Sequence, residues 1–166
     1  MSIDADLSAM IVQVDVQFPF PIGAVWALLT DLPRMASLSP EVESVRWLTD
    51  EDCSQGARLL ARNRRGSLQW QVTGEITVVR PPAHVSWVVD DPSLPSSTWT
   101  YELRADHGST QVSQRFQHGP GMSWTRRMIG SNPAAATILI EQRPRCQPSA
   151  RRAAVRVVRT QSSSWS

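Results

Sequence analysis

The most regular pattern in the chain is the alternation of apolar and polar residues in residues 67–79, SLQWQVTGEITVV. Leu68, Trp70 and Val72 fall on one face of this segment, and the glutamines between them fall on the other. A period of two predicts a β-strand with one wet face and one face turned inward. The pattern raises the question of whether that inner face meets a filled core or a cavity.

The same period recurs in six other segments: IVQVDVQF, VESVRWLT, ARLLARNR, HVSWVVD, STWTYELRA and STQVSQRFQH. After the second of these, turn-rich breaks such as RRGS, RPPA and DHGS separate consecutive strands. Short connections favour antiparallel neighbours, because a parallel return needs a crossover of about a dozen residues or more. The sequence therefore predicts an antiparallel sheet of six or seven strands.

Two stretches change to helical spacing. After the first strand, Ile22, Val25, Trp26 and Leu29 recur at the spacing of one helix face, and the prolines at 33 and 40 divide residues 22–40 into two short helices. A later zone runs from residue 122 to 143 and includes PAAATILIEQR. This order predicts an α+β domain whose sheet covers its apolar face with the C-terminal helix.

Several segments then show a family resemblance. They are VWALLTDLPRMASLSPEVESVRWL, NRRGSLQW, RPPAHVSWVV, TWTYELRADHGSTQVSQRF and HGPG. Together they resemble the polyketide cyclase/dehydrase branch of the START-like, helix-grip (SRPBCC) superfamily over about residues 10–140. The resemblance implies a curved antiparallel sheet around a long C-terminal helix, with a cavity between them that accepts apolar ligands. Cyclases and lipid carriers are among the members.

The end of the chain departs from that family pattern. The helical pattern stops at Arg143, and residues 144–166 are rich in Arg, Ser and Pro, either as a native tail or as the product of a shifted reading frame. We therefore predict a flexible N-terminus at 1–9, a helix-grip domain at 10–143 and a disordered tail at 144–166. A shortened helix would uncover apolar sheet, which predicts reduced stability or cover by a homodimer or protein partner.

Charge and composition narrow the classes of function. Residues 1–140 contain 11 Arg and 14 Asp or Glu, so the basic charge belongs to the tail and the folded part lacks the basic face of a nucleic-acid binder. No leader pattern or membrane-length apolar run occurs, which predicts a cytoplasmic protein without a membrane span. Cys53 and Cys146 lack metal-site spacing and no phosphate loop is present, so we expect no metal and no cofactor.

The inner strand faces supply candidate site residues. Alternation turns several aromatic side chains inward together with a few polar ones, as in small-molecule sites, although each could instead be a packing residue. The candidate ligand-binding residues are Asn63, Trp70, Trp87, Trp99, Tyr101, Gln114, Phe116 and His118.

Three functions are compatible with this inventory. The first is binding of a hydrophobic, aromatic or polyketide-like small molecule between the sheet and the C-terminal helix. The second is a cyclase or dehydratase in the same cavity, with Tyr101 and His118 as catalytic candidates that polarise a carbonyl. The third is a protein-interaction module. The few polar groups inside favour binding over catalysis, and whether the protein is an enzyme stays open.

Overall fold

The structure is a computed structural model and describes residues 10–49, 52–123 and 153–159. Antiparallel strands and two short helices make up these parts of the chain. In chain order the elements are β1 (Met10–Phe18), α1 (Ile22–Thr30), α2 (Leu32–Ala36), β2 (Val42–Trp47), β3 (Arg58–Arg65), β4 (Leu68–Arg80), β5 (His84–Val89), β6 (Ser97–Asp106), β7 (Ser109–His118) and β8 (Ala153–Arg159). All seven predicted strands and both predicted short helices are confirmed.

The strands form one sheet in the order β2-β3-β4-β5-β6-β7-β1-β8, and every adjacent pair is antiparallel. From β2 to β7 the order follows the chain, as the short connections predicted. Register shifts interrupt β2 between Val42 and Ser44 and β4 between Ile76 and Val78. Bulges of this kind bend a strand and increase its twist, which suits a sheet that curves around its contents.

The end of the chain differs from the prediction in one place. Ala153–Arg159, assigned from the sequence to a disordered tail, forms β8 and pairs with β1, Val14 lying opposite Val155. The edge of a sheet presents backbone N–H and C=O groups without hydrogen-bond partners. A short segment rich in valine can pair with them even when its sequence lacks a long alternating pattern. The predicted helical zone at 122–143 lies outside the described residues, except for residues 122 and 123. The predicted N-terminal segment at 1–9 also lies outside them.

The two helices fill part of the inner face of the sheet, which is the face that carries Trp87 and Trp99. Helix α1 buries Val25 and Leu29 against a cluster that includes Tyr101. Asp31 caps the short α2, because its Oδ1 accepts a hydrogen bond of 3.1 Å from the backbone N–H of Arg34.

A second cluster joins Leu32 of α2 to the β3–β4 half of the sheet. Its other buried members are Ala57, Leu59, Ala61 and Ile76. The inner face is thus partly packed against α1 and α2, and what the remaining part of that face meets bears on the function.

Candidate functional site

A cavity of about 200 Å³ lies between the two helices and the inner face of the sheet. Its apolar lining comes from both sides. The helices contribute Leu29, Leu32, Met35 and Ala36, and strands β2 to β5 contribute Val42, Val45, Leu59, Ala61, Val72 and Val89. The inner face therefore meets a packed core in one region and a cavity in another.

Six of the eight candidate site residues line this cavity: Asn63, Trp70, Trp87, Trp99, Tyr101 and His118. Strand register explains why residues far apart in sequence meet there. Asn63 of β3 pairs with Trp70 of β4, and Trp87 of β5 pairs with Trp99 of β6. Because paired residues present their side chains on the same face, each pair reaches the cavity together.

The other two candidates, Gln114 and Phe116, share the inner face of β7 but are not among the residues that line the cavity. Phe116 is fully buried behind Trp99, which is its partner in register. Gln114 lies opposite Tyr101, and its Nε2 is buried with no hydrogen-bond partner in the part of the chain that the structure describes. A buried donor without a partner lowers the stability of the fold by about 1–3 kcal/mol. Gln114 is therefore a polar residue in apolar surroundings.

Aromatic rings form a continuous row across β5, β6 and β7. The rings of Trp87 and Tyr101 stack with centroids 5.4 Å apart, and those of Trp87 and Trp99 stack at 6.4 Å with an interplanar angle of 14°. Phe116 continues the row 4.7 Å from Trp99, and His118 meets Phe116 edge-on at 5.0 Å. We call these five residues the aromatic row. Aromatic pairs at these separations stabilise one another beyond simple burial, so the row is a pre-formed wall.

One side of the cavity is polar, and the residues that form it were not predicted as site residues from the sequence. Asp90, Ser96, Ser97 and Ser123 line it next to His118. Ser97 is the first residue of β6, whereas Asp90, Ser96 and Ser123 lie outside the strands, where alternation does not predict the direction of a side chain. Ser97 pairs with His118 in register, so the β6–β7 pairing joins two of these groups. Only the tertiary arrangement brings the others to them.

Two glycines hold this polar side in place. The N–H of Gly119 donates to the carbonyl of Ser96 at 3.0 Å, and the N–H of Gly121 donates to the carbonyl of Pro95 at 2.9 Å. A Cβ on Gly119 would overlap the carbonyl oxygen of Pro95 and lie 2.9 Å from its carbonyl carbon. The close approach of the two backbone segments, which we call the glycine clasp, therefore requires residues without side chains.

The cavity contains few groups suited to covalent or metal chemistry. Among the described residues, no group of three His, Cys, Asp or Glu side chains could hold a metal ion. Cys53 is not among the residues that line the cavity. Burial, followed by the charge of Asp52, raises the pKa of its thiol to about 11, so little nucleophilic thiolate exists at neutral pH. Within the same described ranges, no helix has both the length and the apolar character needed to cross a membrane.

The curved antiparallel sheet, the two short helices and the internal cavity place the protein in the class of α+β helix-grip folds. A family model described as "Polyketide cyclase / dehydrase and lipid transport" matches residues 9–141. The chain belongs to this family, which confirms the resemblance seen in the sequence. A search of the curated proteins finds no match.

Solved structures show the same fold. A polyketide-cyclase-like protein of Corynebacterium glutamicum is 24% identical, with a TM-score of 0.54 over 80% of this chain and 78% of that chain. A protein of Nitrosomonas europaea is 17% identical, with a TM-score of 0.56 over 80% and 91%. The di-domain ARO/CYC protein BexL is 12% identical, with a TM-score of 0.53 over 81% of this chain and 46% of that chain.

Proposed function

We propose that the protein binds a small hydrophobic ligand with an aromatic ring system in the cavity between the helices and the sheet. The observation that carries the proposal is the aromatic row, because Trp87, Trp99 and Tyr101 all line the cavity with their rings stacked. Trp87 and Trp99 retain partial exposure, so each presents ring surface that a ligand can cover. Tyr101 and Phe116, by contrast, are almost fully enclosed and pack against the two indole rings.

The energetics are sufficient for useful affinity. Burial of roughly 300 Å² of apolar ligand surface contributes about 7 kcal/mol gross at 25 cal/mol per Å². Association costs remove part of that gain, and stacking against a pre-formed wall adds to what remains. A dissociation constant in the micromolar range, about −8 kcal/mol, is therefore within reach of a ligand that also hydrogen-bonds inside the cavity.

Polar groups at known positions would orient such a ligand. Asn63 lies on the β3–β4 side of the cavity, and Ser97 and His118 lie on the opposite, polar side. A mostly apolar site with a few polar groups at fixed positions binds one orientation of a ligand in preference to others. This arrangement supports a ligand that carries a hydroxyl or carbonyl group at one end of a ring system.

A cyclase or dehydratase in the same cavity is the second candidate. Its support is that both catalytic candidates, Tyr101 and His118, are buried and line the cavity, and that the family description names cyclases and dehydrases. A dry cavity that holds a flexible chain in a reactive conformer can accelerate a cyclisation with few catalytic groups.

The two candidates differ in what happens to the bound molecule. A binding protein returns it unchanged, whereas a cyclase or dehydratase that carries an aldol addition through to dehydration releases a product that has lost one molecule of water. Mass spectrometry of a poly-β-ketone thioester mimic, incubated with the protein or with the His118→Ala variant, distinguishes them. Loss of water that depends on His118 would favour the enzyme.

Titration of apolar probes tests the binding proposal. We expect flavonoid-like, sterol-like or acyl probes to quench or blue-shift the tryptophan emission, and isothermal titration calorimetry to give micromolar affinity for at least one aromatic probe. Trp99→Ala removes cavity wall and should weaken that affinity about tenfold or more. Arg115→Ala is the matched control, because Arg115 lies on β7 next to Phe116 but is exposed on the outer face.

Two results would contradict the binding proposal. If no apolar probe changes the emission or releases heat, the cavity is not a binding site. Capture of a protein partner that is lost when residues 144–166 are removed would then support the interaction module, with a protein or a second copy of the chain as the partner.

A further inference from the structure

We infer that the cavity selects against negatively charged ligands and binds a cationic aromatic molecule more tightly than an anionic one of the same shape. This inference rests on the proposed function and specifies its ligand class. The observation is the charge of the lining. Among the described residues that line the cavity, Glu41 and Asp90 are acidic and none is an arginine, and the chain contains no lysine at all.

Asp90 carries most of this argument because of its position. It follows β5 directly, and its backbone N–H donates to the carbonyl of Thr73 at 2.7 Å. It lines the cavity together with Val89, next to the polar side formed by Ser96 and Ser97. A carboxylate at the edge of an apolar cavity acts through a medium of lower dielectric than water, so its effect on a bound charge is larger than that of a surface carboxylate.

The aromatic row works in the same direction. The faces of indole and phenol rings carry negative potential, and a cation near such a face is stabilised whereas an anion is not. Trp87, Trp99 and Tyr101 line the same cavity as Asp90. Two independent features of the wall, the charge of Asp90 and the quadrupoles of the rings, therefore favour a neutral or positively charged ligand over a carboxylate such as a fatty acid.

Three probes with one ring system and different charge test the inference. They are 2-naphthylmethylamine, 2-naphthalenemethanol and 2-naphthoate, which are cationic, neutral and anionic near pH 8. The ring size is suitable, because a cavity of roughly 150 Å³ holds benzene and this one is larger, at about 200 Å³.

Isothermal titration calorimetry of the full chain at low salt gives the three affinities. We expect the amine to bind at least as tightly as the alcohol, and the carboxylate to bind about tenfold or more weakly than the amine. Added salt should narrow this difference, since mobile ions screen the charges. Binding of the carboxylate as tight as that of the alcohol would overturn the inference.

Two aspartates that are adjacent in sequence provide matched variants. Asp90 has a backbone φ of 68°, which Asn tolerates as well as Asp does, so Asp90→Asn removes the charge and keeps the turn. Asp91→Asn is the control, because Asp91 is exposed, is not a lining residue and accepts hydrogen bonds from Ser93. Thermal unfolding followed by circular dichroism confirms that both variants are folded.

We expect Asp90→Asn to reduce the ratio of amine to carboxylate affinity at least threefold, and Asp91→Asn to change it less than twofold. An equal ratio in the wild-type protein and Asp90→Asn would overturn the inference. Failure of all three probes to bind would instead refute the proposed function. Binding of all three with equal affinity would leave the binding function standing and remove only the selectivity for charge.

Discussion

Replacement of Gly119 by alanine tests the glycine clasp, the backbone contact that places His118 and Ser96 at the cavity. The new Cβ would overlap the carbonyl oxygen of Pro95. Because the overlapping atom belongs to the backbone, rotation of a side chain cannot relieve the clash, and the two segments must separate. The bonds from Gly119 to Ser96 and from Gly121 to Pro95 would both be strained or lost.

The magnitude follows from those two hydrogen bonds. Each contributes about 1 kcal/mol net, and a group left buried without its partner costs about 1–3 kcal/mol. We therefore expect Gly119→Ala to lower the free energy of unfolding by about 2–4 kcal/mol, a large fraction of the roughly 5–15 kcal/mol of a typical domain. In urea, with a slope of about 2 kcal/mol per M, the midpoint should fall by roughly 1 to 2 M.

Gly23→Ala is the matched control for this experiment. Gly23 lies in α1, and apart from its chain neighbours and the backbone of its own helix no atom lies within 4 Å of the position that its Cβ would take. Alanine in a helix is favoured over glycine by roughly 0.5–1 kcal/mol, so this variant should be as stable as the wild-type protein or more so. A free energy of unfolding for Gly119→Ala within about 0.5 kcal/mol of the wild-type value would show that the clasp does not require glycine at position 119.

Two further predictions concern Phe116 and Cys53. Phe116 is 1% exposed, so Phe116→Ala should cost about 3–5 kcal/mol in urea unfolding, whereas Gln117→Ala, at an exposed neighbour, should change stability by less than about 0.5 kcal/mol. A cost below about 1.5 kcal/mol for Phe116→Ala would contradict its place in the row. Burial raises the pKa of Cys53 from 9.0 to about 11, so less of its thiol is ionised in the folded protein. In a Cys146→Ser variant at pH 8, iodoacetamide should therefore react much more slowly with the folded protein than with the urea-unfolded protein. Because the unfolded thiol loses its proton first, the free energy of unfolding should fall as pH rises from about 9 to about 11, and equal alkylation rates in the two states would refute this prediction.

Most of the sheet could be predicted from the sequence, because each strand carries its own evidence. In β7 the inward series Val112, Gln114, Phe116 and His118 alternates with exposed residues, and the structure has the same division. Alternation of this kind is a local property that one face of a strand imposes on the sequence. The candidate residues Trp87 and Trp99 could be found for the same reason, since their faces follow from counting along the strand.

The residues between the strands could not be placed in this way. Asp90, Ser96 and Ser123 reach the cavity through turns and through the glycine clasp, and those positions depend on contacts between separate segments. Strand β8 could not be predicted either, because it forms by pairing with the edge of β1 and its sequence lacks a clear alternation of apolar and polar residues. Alternation also does not distinguish a residue that lines a cavity from one that packs behind it, which is why Phe116 and Trp99 looked alike in the sequence.

The two sides of the cavity differ in how readily they can change. On the sheet side, the rings of the aromatic row contact one another, so substitution of one ring disturbs its neighbours. The helical side consists of separate aliphatic side chains, among them the unbranched and adaptable Met35. The dimensions of the cavity can therefore be adjusted by exchanging single residues on the short helices, and a new ligand size can be accommodated while the ring-binding surface is preserved.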